Sequence, residues 1–151
     1  YLWFEDQAEE AASFYTSIFK NSKINEISRY GEGGPGPAGS VMLVSFELDG
    51  QQFIALNGGP QFQFTEAISF VINCESQEEV DYMWDRLTEG GEESMCGWLK
   101  DRYGISWQVV PTALPELLSA PDPEAQQRVM EVFLKMSKID LPTLRLAYEG
   151  R

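Results

Sequence analysis

The sequence of 151 residues contains no histidine. Histidine is the commonest general base near neutral pH and the commonest transition-metal ligand in proteins. Its absence excludes Ser-His-Asp and Cys-His catalysis within this chain. Any proton transfer must therefore use Asp, Glu, Lys, Tyr or Cys side chains.

Basic residues and cysteines are also scarce. Only 11 Lys and Arg stand against 24 Asp and Glu, which gives a net charge of -13. Nucleic acids and anionic membranes both attract basic surfaces, so neither is expected as a partner. The two cysteines, Cys74 and Cys96, are too few for a disulfide framework and favour a cytoplasmic location.

The sequence also lacks a long apolar run. No stretch approaches the roughly 20 apolar residues that span a bilayer, and no signal peptide is visible. The chain opens at Tyr1, inside a predicted strand and without an initiator Met, so we expect a few residues to precede it.

Two stretches show the order strand, helix and three strands. Module one (1–57) has a helix that Asp6 is predicted to cap, and module two (66–111) has one that Ser76 is predicted to cap, with Glu79 three residues on. The predicted strands lie at 1–4, 23–30, 41–48 and 51–57 in module one, and at 67–73, 93–96, 98–100 and 105–111 in module two. Each module alone would leave an apolar sheet face open, so we expect the halves to bury it together or with a second chain.

The tail (112–151) is predicted to be helical. One helix begins at Asp122-Pro123 and a last one at Asp140. The apolar stripe of the tail must dock on its own sheet or on a partner chain.

Two motifs carry a resemblance to a known family. They are Asn57-Gly58-Gly59-Pro60 and the longer run Cys96-Gly97-Trp98-Leu99-Lys100-Asp101-Arg102-Tyr103-Gly104-Ile105-Ser106-Trp107-Gln108. The chain resembles the PhnB-like, 3-demethylubiquinone-9 3-methyltransferase-like group of the glyoxalase/bleomycin-resistance/dioxygenase superfamily over nearly its whole length. The resemblance implies one α+β domain over 1–151, with paired βαβββ modules forming cupped mixed sheets, C-terminal helices, a homodimer and small-molecule sites.

The same resemblance implies a divalent metal held by His and Glu in related enzymes. One ligand is a Glu four residues after the Gly of the last hairpin, and here that position, counted from Gly104, is Gln108. The related His position falls near Ala67. A neutral amide replaces a carboxylate poorly for a hard cation. We therefore expect no metal and no cofactor.

The run Gly31-x-Gly33-x-x-Gly36 formally matches a dinucleotide fingerprint. A pyrophosphate site needs a helix immediately after the glycines, whereas a strand is predicted here. We interpret the run as a loop, which argues against the common site for S-adenosylmethionine.

Strand alternation predicts which side chains face a ligand. Ile68, Phe70 and Ile72 are expected to face the helix, whereas Ser69 and Gln108 face the hollow. The predicted ligand-binding residues are Trp3, Asn57, Ser69, Cys96, Trp98 and Gln108. The alternative is that these residues only fill a collapsed core. Cys96 could also be a nucleophile or a buried filler, and Lys100-Asp101-Arg102 is typical of a solvated hairpin with local ion pairs.

These features predict a small-molecule-binding protein or a metal-independent enzyme. The alternative is a non-catalytic dimeric module that sequesters a hydrophobic compound or regulates a partner. A methyltransferase with an unfamiliar cofactor site is a third possibility. The ligand and the question of turnover stay open at this stage.

Overall fold

A computed structural model describes all 151 residues, Tyr1–Arg151. The strands are β1 (Leu2–Phe4), β2 (Lys23–Arg29), β3 (Val41–Leu48), β4 (Gln51–Asn57), β5 (Ser69–Cys74), β6 (Glu92–Glu93), β7 (Trp98–Lys100) and β8 (Ser106–Pro111). The helices are α1 (Ala8–Ile18), α2 (Gln77–Thr88), α3 (Leu114–Leu118), α4 (Pro123–Phe133) and α5 (Leu141–Tyr148). None of the five helices combines the length and the apolar character that crossing a bilayer requires.

The chain forms two compact units, Tyr1–Phe64 and Thr65–Arg151. The first holds module one, and the second holds module two and the tail. Each unit contains a four-stranded mixed sheet, ordered β1-β4-β3-β2 in the first and β5-β8-β7-β6 in the second. In both sheets the first strand of the module pairs in parallel with the last, and the other pairs are antiparallel. The predicted α+β fold of two βαβββ modules is confirmed.

The core of module one lies between its sheet and α1. Alternate residues of the strands are buried, including Phe4, Val44 and Phe46, and they face a helix stripe that contains Ala8 and Tyr15. The rings of Tyr15 and Phe46 stack with centroids 6.5 Å apart. Because β-strand side chains alternate between faces, Trp3 lies on the opposite, open face.

Module two buries the equivalent face against α2. Ile72, Trp107 and Val109 are buried on the sheet, as the alternation predicts. The prediction is wrong for Ile68, which is 73% exposed. The reason is that β5 begins at Ser69, so Ile68 precedes the pleated segment that fixes the direction of a side chain.

The two module helices begin in different ways. Ser76 caps α2 as predicted, because its Oγ accepts a hydrogen bond from the Glu79 N–H at 3.1 Å. The predicted Asp6 cap of α1 is wrong, since the N-cap is Gln7 and no side chain of the N-terminal segment bonds there. The Ala8 N–H instead donates to Asn57 Oδ1 at 2.8 Å, from the end of β4. A contact between residues 49 positions apart has no local sequence pattern.

The capping difference gives a paired test. We expect Ser76→Ala to lower the free energy of unfolding by about 1 kcal/mol, because a first-turn N–H of α2 loses its acceptor. Asp6→Ala should change it by less than about 0.5 kcal/mol, because the Asp6 side chain caps nothing. Urea unfolding followed by circular dichroism measures both. Equal losses for the two variants would contradict this assignment.

The tail forms three helices that dock on module two. α3 escaped prediction because five residues give too short a periodic pattern. The turn at residues 96–97 donates two backbone hydrogen bonds to the tail, Cys96 N–H to Met136 O at 2.7 Å and Gly97 N–H to Ser137 O at 2.8 Å. Gln77 bonds both Ile139 O and the Leu141 N–H. Of the two predicted docking partners, the tail uses its own sheet module.

The run Lys100-Asp101-Arg102 differs in part from the expected solvated hairpin. Lys100 pairs with Glu66, and Arg102 Nε donates to Glu89 O at 3.1 Å, so both cations have partners from outside the hairpin instead of the expected local ones. Asp101, however, is only 3% exposed. Its Oδ1 accepts from the N–H groups of Tyr103 and Ile105 at 2.8 and 3.1 Å, and its Oδ2 accepts from Trp107 Nε1 at 2.8 Å. The expectation was wrong for Asp101 because three buried donors need that carboxylate.

Candidate functional site

The structure divides the six predicted ligand residues between the two compact units. Trp3 and Asn57 lie together in the first unit, at the end of the parallel pair β1 and β4. Ser69, Trp98 and Gln108 lie together on the sheet of the second unit. Cys96 lies at the turn that contacts the tail.

Trp3 and Asn57 line a cavity of about 750 Å³ in module one. The cavity lies where β1 and β4 end, beside the start of α1 and the loops that follow β2 and β4. Its lining consists of Trp3, Glu5, Asp6, Glu9, Tyr30, Pro35, Gly36, Pro37, Ser40, Val41, Leu56, Asn57, Gly58, Gly59, Pro60 and Gln61. Seven of these 16 residues are apolar or aromatic, six are polar or charged and three are glycine. Organic-ligand sites likewise combine apolar walls with polar groups that orient the ligand.

The Trp3 ring forms one wall and is fixed at both ends. Its Nε1 donates to Gly59 O at 2.9 Å, and its ring meets Phe62 edge-on with centroids 5.0 Å apart. A Cβ at Gly58 would collide with the indole. Glycine is therefore needed at Gly58 so that the strand end passes close to the ring.

Tyr30 is the second aromatic residue of the cavity lining, and sequence analysis missed it. Its hydroxyl donates to Asn57 O at 2.5 Å. A Cβ at Gly36 would lie 2.5 Å from the Tyr30 ring, so the glycine-rich loop packs flat against that ring. The loop leads directly into β3, which confirms that Gly31-x-Gly33-x-x-Gly36 does not open a helix. The sequence signal that could have identified Tyr30 is its position directly before the glycine-rich loop.

Asn57 holds this part of the module together. Its Oδ1 accepts from the Ala8 N–H at 2.8 Å, and its Nδ2 donates to Val41 O at 3.1 Å. The amide thus joins the start of α1 to the start of β3 across the cavity wall. Its predicted contact with a ligand stays a prediction, and its role in shaping the cavity is already visible.

The second group lies on the open face of the module-two sheet. Gln108 Nε2 donates to Ser69 Oγ at 2.9 Å. Trp98 is the cross-strand neighbour of Gln108 on β7. The strand alternation correctly predicted a common face for Ser69 and Gln108. Ser69 and Gln108 form a polar pair beside the Trp98 indole. This pair could orient a ligand by hydrogen bonding.

A smaller cavity of about 120 Å³ lies at the edge of the same sheet. Ser106 is 2% exposed there, and its Oγ has no hydrogen-bond partner in the protein. The Lys100–Glu66 ion pair lies on the lining. The hydrogen bond to Glu66 raises the pKa of the Lys100 ammonium, and the same contact with Lys100 lowers the pKa of Glu66. Lys100 therefore stays protonated at neutral pH and forms an ion pair with Glu66.

Neither cysteine has the surroundings of a reactive thiol. Burial raises the pKa of Cys74 to about 12, so it stays protonated and inert at neutral pH. The Cys96 Sγ lies 3.6 Å from Phe133 O, as a weak donor to a carbonyl. The two nearby cations, Lys100 and Arg102, are engaged with Glu66 and Glu89. These contacts support the interpretation of both cysteines as packing residues.

The donor set does not fit the divalent metal that the superfamily resemblance implies. Gln108 stands at the carboxylate position and uses its amide to donate to Ser69. No group of three or more Asp, Glu, Cys or His side chains is arranged to hold a metal ion. A hard cation needs several oxygen ligands with negative charge among them. The side chains around Gln108 therefore do not suit a divalent metal ion.

Comparison with known families and structures gives a consistent result. The profile of the 3-demethylubiquinone-9 3-methyltransferase family matches residues 1–110, so the tail (112–151) lies outside the matched segment. A PhnB protein from Bacillus cereus, described as a 3-demethylubiquinone-9 3-methyltransferase, is 41% identical. Its structure superposes with a TM-score of 0.68, covering 74% of this chain and 95% of that protein.

Two more distant structures are similar in fold alone. A protein from Pseudomonas aeruginosa is 23% identical with a TM-score of 0.62, covering 74% of this chain and 93% of its own. The fosfomycin resistance protein FosX from Listeria monocytogenes is 21% identical with a TM-score of 0.54, covering 79% and 93%. Fold similarity at this distance does not transfer an activity. Comparison with the curated proteins gives no match.

Proposed function

The chain belongs to the 3-demethylubiquinone-9 3-methyltransferase family, and we propose that it binds a small organic molecule in the module-one cavity without a metal ion. The cavity itself carries this proposal. Its volume of about 750 Å³ lies within the range of small-molecule sites, roughly 300–1,000 Å³. Two aromatic walls, Trp3 and Tyr30, are already held in place by hydrogen bonds to Gly59 O and Asn57 O. A ligand would therefore meet a preformed site.

The family description alone does not support a methyltransferase. Each sheet has a single parallel pair, and its remaining pairs are antiparallel. The common site for S-adenosylmethionine uses a parallel sheet with a glycine-rich turn that leads into a helix, whereas here the glycine-rich loop leads into β3. The binding proposal needs only the cavity that the fold contains.

The proposal includes a homodimer and a cytoplasmic location. Ile68 and Val71 are 73% and 54% exposed beside the open face of the module-two sheet, and a second copy could cover them. Cys74 and Cys96 are both unpaired, as is usual in a reducing compartment. Sedimentation at several protein concentrations measures the oligomeric state directly.

Two tryptophans of the chain provide a matched test of the site. The neutral dye Nile red, which fluoresces in apolar surroundings, is the probe. We expect Trp3→Ala to weaken dye binding about tenfold, a change of about 1.4 kcal/mol, because one wall of the cavity is lost. Trp98→Ala removes an equally half-buried indole from the module-two sheet and should leave the dissociation constant within about twofold.

The same titration contains its controls. Circular dichroism must show that both variants are folded, and excess EDTA should leave the dissociation constant of the wild-type protein unchanged. If Trp98→Ala weakens binding and Trp3→Ala does not, the ligand site lies on the module-two sheet. Loss of dye binding in EDTA would overturn the metal-free proposal.

A further inference from the structure

The charged groups of the module-one cavity all have one sign. Glu5, Asp6 and Glu9 line it, and no Lys or Arg does. All three are exposed, and none of their carboxylates makes a hydrogen bond or an ion pair. The neighbouring cation Arg29 donates to Gly39 O at 3.1 Å and does not line the cavity. The rim is thus an uncompensated negative surface.

The donors around the cavity are largely engaged within the protein. The Trp3 indole N–H, the Tyr30 hydroxyl and the Ser40 hydroxyl each donate to a backbone carbonyl. The Ala8 N–H at the start of α1 donates to Asn57 Oδ1, so it is not available for an anion. Gln61 is the one lining side chain whose amide has no partner. A ligand anion would therefore meet three carboxylates, against which stand the Gln61 amide and the uncapped first-turn N–H of Glu9.

The aromatic walls suit the opposite charge. The faces of indole and phenol rings are negative and attract cations, most strongly when water is partly excluded. The ring atoms of Trp3 and Tyr30 line the cavity, while their polar tips are tied to Gly59 O and Asn57 O. Backbone at Gly58 and Gly36 packs against these two rings, so a ligand would use the part of each ring that this backbone does not cover.

We propose that the ligand of the module-one cavity is an organic cation, with an apolar or aromatic body and an ammonium or guanidinium group directed at Glu5, Asp6 and Glu9. This inference rests on the proposed function, because it names the ligand class of the same site. The apolar body would lie between Trp3 and Tyr30, and the charged group would lie at the rim. The net charge of -13 adds a long-range attraction for cations.

Three naphthalenes that differ only in their substituent test the charge. They carry an aminomethyl group, a hydroxymethyl group or a carboxylate, and isothermal titration calorimetry measures each dissociation constant at low salt. We expect the aminomethyl compound to bind about tenfold more tightly than the hydroxymethyl compound, and the carboxylate more weakly than both. The preference should shrink at high ionic strength, because the rim carboxylates are exposed.

Two triple variants separate the rim from the overall charge. Glu5→Gln, Asp6→Asn and Glu9→Gln together should reduce the tenfold preference to about twofold or less. Glu10→Gln, Glu26→Gln and Asp49→Asn remove the same number of charges from positions outside the lining and should preserve most of it. Because both sets keep side-chain size and lie on the surface, both proteins should fold.

The outcomes distinguish the two proposals. Equal affinity for the three naphthalenes, or equal losses in the two triple variants, overturns the cation inference and leaves the cavity as a neutral organic site. Tighter binding of the carboxylate also overturns it. If neither Nile red nor any naphthalene binds the wild-type protein, the proposed function fails together with the cation inference.

Discussion

Replacing Asp101 with asparagine is expected to lower the free energy of unfolding by about 3 kcal/mol. The buried carboxylate accepts hydrogen bonds from the backbone N–H groups of Tyr103 and Ile105 and from the indole Nε1 of Trp107. An amide keeps one acceptor oxygen and places an NH₂ group against the remaining donor or donors. At least one buried donor then loses its partner, and hydrogen bonds to charged groups contribute about 1.5–3 kcal/mol each.

Urea unfolding followed by tryptophan fluorescence measures this loss. Asp85→Asn is the matched control, since Asp85 is exposed on α2 and the same chemical change there should cost less than about 0.5 kcal/mol. Indistinguishable midpoints for the two variants would show that the Asp101 carboxylate does not organise the hairpin between β7 and β8.

The second large effect is expected in the tail, from Leu144→Ala. Leu144 is fully buried in a cluster with Leu114, Val129, Ile139 and Ala147. Removing a buried leucine leaves a cavity and costs about 2–5 kcal/mol. Since the tail donates and accepts hydrogen bonds with Gln77 and accepts from Cys96 and Gly97 of module two, we expect the second compact unit to lose stability as a whole.

Leu146→Ala on the same helix supplies the comparison. Leu146 is 46% exposed, so its truncation should cost less than about 1 kcal/mol. Far-ultraviolet circular dichroism and tryptophan fluorescence should report the same unfolding midpoint in Leu144→Ala if the tail and module two unfold together. An early loss of helix signal with unchanged fluorescence would show instead that the tail is an independent appendage.

The sequence predicted the elements whose causes are local. Ser76 and Glu79 lie three residues apart and signal the start of α2, because both hydrogen bonds of the cap form within one turn. The alternation of β3 and the turn at Asp49-Gly50 predicted β3 and β4 with the observed bounds. Asp49 and Gly50 both have a positive φ, 48° and 80°, which this type of turn requires.

Contacts that the local sequence pattern does not specify account for the errors. The acceptor for the start of α1 is Asn57, which comes from another strand, so Asp6 looked like a cap that it is not. Asp101 looked solvated because its neighbours Lys100 and Arg102 are charged, whereas its donors include the indole of Trp107, six residues away. For α1 a partner 49 positions away overrode the local pattern, whereas for Asp101 the folding of one hairpin brings donors two to six residues away to the carboxylate.

The candidate site shows the same division. Alternation placed Ser69 and Gln108 on one face, because side-chain direction in a strand follows from position alone, whereas the place of Trp98 beside Gln108 depends on the register between β7 and β8. The cavity of module one was not predicted as a volume, since it forms where the ends of β1 and β4 meet the loops after β2 and β4. Tyr30 joins the wall only because its hydroxyl reaches Asn57 O, 27 positions along the chain.

By itself, the sequence determined the repeated βαβββ order, the family and the lack of histidine chemistry, because periodicity, motifs and composition are written along the chain. Only the tertiary structure decided which carboxylate is buried, where the tail docks and which carboxylates lie at the rim of the aromatic cavity. Those outcomes depend on which groups, near or far in the sequence, come within hydrogen-bonding or packing distance when the chain folds. Such contacts are selected by the folded chain as a whole.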